Sequence, residues 1–185
     1  MYLIPKPNEK FSEIELNNLK SVLEQAKVTF ATVDKDLTEL NAISLMKPLE
    51  GNLPLLYEVG MPLFAKGYLQ EEIDRRKDQI MELEEELMDT DKNSFKGQNL
   101  ESWIAYLKDE IKELEKKLNY HLRNQWVVKK ILDIVKNFNE ENQVLMHFTP
   151  KKFIPGLKKI FDDLDIPVEI IDITKQILSP IQIMN

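Results

Sequence analysis

Glu71, Asp74, Asp78, Glu82, Glu85 and Asp89 recur at spacings of 3, 4, 4, 3 and 4 residues. At about 100° per residue, a helix carrying them places all six carboxylates in one stripe about 80° wide. The chemistry open to such a row is electrostatic. It can hold a cationic surface, and it weakens its own helix because like charges at these spacings repel by roughly a few tenths of a kcal/mol per pair. Surface faces ordinarily mix signs to avoid that repulsion. Arg75, Arg76 and Lys77 flank the stripe without entering it. The row is expected to be either a plain solvated face or a ridge that binds a basic partner.

Just beyond the row, Asp89, Asp91 and Asn93 fall at positions 1, 3 and 5 of an EF-hand-like loop, where a calcium ion needs oxygen ligands. The match then fails. Ser94 stands where glycine is required, and Leu100 stands where a bidentate Glu is required, with Glu101 one residue late. A polar turn with Asx-type bonds is the expectation, and no metal site is assigned. Trp103 and Tyr106, about one turn apart, and Phe95 are aromatic anchors of the kind that interfaces use. The competing expectation is that they widen a local core against Met88.

Catalytic signals are missing. His121 and His147 have no Glu three or four residues before them, so the Glu-x-x-His pattern of carboxylate-bridged metal bundles is not met. No His-Glu-x-x-His, phosphate-binding loop, Gly-x-Ser-x-Gly or dinucleotide fingerprint occurs. With no cysteine, disulfides, thiolate metal sites and cysteine nucleophiles are excluded outright.

The elements that must position these residues follow from the apolar spacing. Leu69, Ile73, Ile80, Leu83 and Leu87 form one seam, with Arg76 at the position that completes the series. Leu100, Ile104, Leu107, Ile111, Leu114 and Leu118 form a second. If the chain folds back between them, Leu87 meets Leu100, Leu83 meets Ile104, Ile80 meets Leu107, Arg76 meets Ile111, Ile73 meets Leu114 and Leu69 meets Leu118. The result is an antiparallel coiled-coil hairpin about 27 Å long. Asn99 is a fair N-cap for the second arm.

Upstream, Ser12 and Glu15 form a capping box. Leu16, Leu19, Leu23, Ala26, Phe30, Val33, Leu37 and Leu40 continue at alternating spacings of 3 and 4, which predicts one long helix ending near Met46. Lys47 to Pro54 is turn-rich. Downstream, Trp126 to Phe138 is apolar nearly all round, as for a helix buried on several sides. Phe153, Leu157, Ile160, Phe161 and Leu164 have helical spacing. Val168 to Ile173 fits a strand as well as a last helix opened by Pro167.

The chain has 185 residues, 43% of them apolar and 31% charged, with 25 basic against 32 acidic side chains and a net charge of -7. That balance argues against broad contact with a nucleic acid backbone. The excess acid lies in the first half: residues 61–98 carry 10 acidic and 6 basic side chains, while 99–146 carry 8 of each. No run approaches the roughly 20 apolar residues of a spanning helix. Five glycines leave little material for phosphate-cradling loops.

The expected fold is therefore all-α, a helical bundle with a projecting antiparallel coiled-coil hairpin. Residues 1–61 would form an N-terminal arm and long bundle helix, 62–120 the hairpin with its tip at 88–99, and 121–185 the rest of the bundle. The expected function is non-enzymatic: a cytoplasmic adaptor or inhibitor that engages a partner protein with a basic, nucleic-acid-facing surface. Its contacts would be Glu71, Asp74, Asp78, Glu82, Glu85, Asp89, Phe95, Trp103 and Tyr106, with no cofactor, no metal, no direct nucleic acid and no membrane. One alternative is a homo-oligomeric scaffold paired through the first helix. The other is a membrane-active protein that conceals Leu53 to Leu69, with Gly60 and Gly67 as hinges.

Overall fold

The computed structural model describes residues 1–6, 10–35, 49, 51, 55–138 and 143–174. They form two compact units, Met1–Gly60 with Asn124–Asn185, and Met61–Arg123.

The first unit is built on a sheet. Strands β1 (Tyr2–Lys6), β2 (Phe30–Asp34), β3 (Leu56–Val59), β4 (Leu145–Pro150) and β5 (Glu169–Ile170) lie in the order β3-β2-β4-β1-β5, and every pairing is parallel. The expected all-α helical bundle is overturned by this sheet. Helix α1 (Glu13–Ala26) starts where the capping box puts it: Glu15 donates its backbone N–H to Ser12 Oγ, and Ser12 N–H donates back to Glu15 Oε2 at 2.7 Å. It stops twenty residues short of Met46, because Lys27 takes a left-handed conformation with φ 47°. Phe30 and Val33, which continue the helical spacing on paper, lie in β2. Leu37 and Leu40 lie outside the described residues.

The misreading has a physical cause. The strands are short, and a short apolar run satisfies helical and extended spacing alike. All of Phe30–Asp34 is buried, as are the first five residues of β4. Ala31, Val33, Met146 and Phe148 join Leu19, Val22, Leu23 and Ala26 of α1 in one core cluster. Phe30 stacks on Phe138, ring centroids 4.7 Å apart, with Tyr57 edge-on to both. The helical spacing after Pro150 corresponds to Lys151–Phe153 in a 3-10 turn followed by a helix over Ile154–Asp162, with Leu157 and Phe161 fully buried. Glu169 and Ile170 pair with Tyr2 and Leu3, so that ambiguous segment contributes a strand.

The second unit is a helical hairpin of α2 (Leu63–Met88) and α3 (Phe95–Lys116). Ile73, Ile80, Ile104, Leu107, Ile111 and Leu118 are buried in one cluster, with Leu69, Leu83, Leu87, Leu114 and Leu122 packed against it. A π-helical turn, Lys117–Leu122, follows α3 and leads into α4 (Arg123–Val135). The 9-residue helix after β4 is α5 (Ile154–Asp162). Among the described residues, no helix is long and apolar enough to cross a membrane.

Candidate functional site

The hairpin's charges divide into a compensated set and an uncompensated one. Ion pairs tie Arg76 to Glu72 and Glu110, Lys96 to Glu86, Lys108 to Glu84 and Lys77 to Glu115. Glu71, Asp74, Asp78, Glu82, Glu85 and Asp89 are all exposed, and among the described residues none has a cation within ion-pair distance. Asp74 accepts a hydrogen bond from the Gln70 amide. The carboxylates therefore stand along α2 and at its C-cap, Asp89, while Arg75, Arg76 and Lys77 beside them are held by Glu72, Glu110 and Glu115.

Arg76 occupies the polar position of the seam. Its Nη1 lies 2.6 Å from Glu72 Oε2 and its Nε lies 2.8 Å from Glu110 Oε2. The Tyr106 hydroxyl donates to the other Glu110 oxygen at 2.9 Å. Hydrogen bonding from Arg76 holds the Glu72 and Glu110 carboxyls below their ordinary range, with Tyr106 adding to the effect on Glu110. The same bonds raise Arg76, Glu110 first, and the bond to Glu110 raises the Tyr106 hydroxyl.

At the tip, the residues considered for calcium are used in a turn. Asp91 Oδ1 accepts from Asn93 N–H at 2.9 Å. Ser94, and not Asn99, caps α3: its Oγ accepts from Gly97 N–H at 3.0 Å, so Phe95 is the first residue of the helix. Gly97 sits so close to the turn that a Cβ there would lie 2.3 Å from the Asp91 carbonyl oxygen. Among the described residues, no group of three or more His, Asp or Glu side chains could hold a metal ion.

The aromatics do not widen a core against Met88. Met88 is 83% exposed, Phe95 82%, Trp103 54% and Tyr106 52%. Trp103 and Tyr106 stack on each other, centroids 5.5 Å apart and planes 27° apart. With Leu83, Phe95, Lys96, Asn99, Leu100 and Ser102 they line an open groove. Trp103, Tyr106 and Glu110 each precede a seam residue of α3 by one, which sets all three on one flank. The Arg76–Glu110 pair shows which flank of α2 faces them.

Sequence reasoning missed a second polar constellation, in the sheet. Thr32, Asp34, His147 and Thr149 are at most 1% exposed. Thr32 pairs with His147 in the register of β2 and β4, and alternation sets all four side chains on one face. The Thr32 hydroxyl and His147 Nδ1 are 2.9 Å apart, His147 Nε2 lies 3.6 Å from Asp34 Oδ1, and the Thr149 hydroxyl donates to Asp34 Oδ2. The chain runs from β1 to β2 to β3 toward one edge of the sheet, and from β4 to β5 toward the other. The reversal falls between β2 and β4, the place where open parallel sheets take ligands outside their carboxyl ends. The signal available in the sequence was the alternation of polar residues at 32 and 34 and at 147 and 149 within apolar runs. His121, by contrast, is exposed, with the Tyr120 ring edge-on at 5.4 Å.

No protein-family model, no curated protein and no solved structure matches the chain.

Proposed function

We propose that the chain is a non-enzymatic protein-binding adaptor or inhibitor, acting in the cytoplasm, whose hairpin engages a partner with a basic surface. The observation that carries the reading is the six exposed carboxylates of α2 and its C-cap with no cation within ion-pair distance among the described residues. A face evolved only for solvation gains from mixed signs. A face meant to meet Lys and Arg on another protein gains from a single sign, through faster encounter and rejection of acidic surfaces. The exposed aromatics on α3 supply the apolar anchors that charge alone does not.

The scaffold alternative had its support in a continuous seam on the first helix, which ends at Ala26. For the membrane alternative, the segment to be concealed has Leu56–Val59 hydrogen-bonded into the sheet. The test is a partner captured from the native host. Its affinity falls steeply with salt and is lost on combining Asp78→Lys, Glu82→Lys, Glu85→Lys and Asp89→Lys, with the melting temperature held. An affinity unmoved by salt and by the four reversals would refute the reading.

A further inference from the structure

We draw no further inference here: the strongest candidate, the buried side-chain cluster of Thr32, Asp34, His147 and Thr149 toward the carboxyl ends of β2 and β4, belongs to the polar constellation already described, and nothing among the described residues shows what ligand would reach side chains at most 1% exposed.

Discussion

Arg76 on α2 and Glu110 on α3 close an ion pair across the hairpin, Nε to Oε2 at 2.8 Å, at the one position where the apolar seam is interrupted. The spacing of the seam sets Arg76 against Ile111. Its long side chain instead runs past the seam to the residue before Ile111, leaving its stem near the apolar cluster and its head between Glu72 and Glu110. The interruption thus joins the arms by charge where leucines would join them by burial, and it sets the tyrosine that borders the aromatic groove.

Removing that cation leaves two carboxylates facing each other across the seam. Arg76→Ala is expected to lower the melting temperature and to release the Tyr106 hydroxyl from a fixed partner. Arg76→Leu extends the apolar seam and should cost less than Arg76→Ala, because a hydrophobic replacement fills the gap that Ala leaves. Thermal unfolding of the two variants checks the order; the reverse order would show that the ion pair itself dominates.

The same pair sets an acid sensitivity. Glu72 and Glu110 are held below their ordinary range, chiefly by Arg76. Their contribution is complete above the unfolded glutamate value, about 4.3, and is lost as pH falls through the lower folded values. Melting temperature between neutral pH and pH 3 should therefore drop more steeply in the native chain than in the variant combining Arg76→Leu with Glu72→Gln and Glu110→Gln. Parallel curves would contradict the assignment.

Gly97 is required by a close approach and not by backbone conformation. Gly97→Ala drives a methyl into the Asp91 carbonyl and should cost about 1–3 kcal/mol, the usual range for overpacking. Hydrogen exchange would find the loss at the tip, in the amides of residues 91–98. A neutral effect would mean that the turn relaxes freely.

In the sheet, Thr149→Val keeps the shape of β4 but removes a hydroxyl that donates to the buried Asp34 carboxylate. Leaving that acceptor short of a donor should cost about 1–3 kcal/mol. Thr149→Ser, which keeps the hydroxyl, should recover most of it. Denaturant unfolding distinguishes the two, and equal losses would make the site a matter of packing alone.

These results show which parts of the molecule were legible in the sequence. The seam residues from Leu69 to Leu118 could be read because two amphipathic helices packed face to face repeat their apolar residues every three and four positions. The exposed ridge followed from the same arithmetic. The sheet was not legible, because strands such as Phe30–Asp34 are short and wholly buried, and their apolar residues fit a helical spacing as well as an extended one. Phe30 and Val33 even extended a false helical period past Lys27, whose left-handed turn left no mark in the spacing. The buried Thr32, Asp34, His147 and Thr149 were hidden for a related reason: they come together through a parallel pairing of strands about 115 residues apart.

Under the proposed function the row of carboxylates along α2, and not the overall negative charge, binds the partner. This is measured as the affinity of a basic peptide alternating Arg with Ala, as a function of salt, for two variants of equal net charge. One carries Asp78→Asn, Glu82→Gln and Glu85→Gln. The other carries Glu24→Gln, Asp163→Asn and Asp165→Asn on exposed positions of the sheet-containing unit. The first should lose about tenfold in affinity at low salt and flatten the salt dependence, while the second matches the native chain. Equal losses in both variants would contradict it.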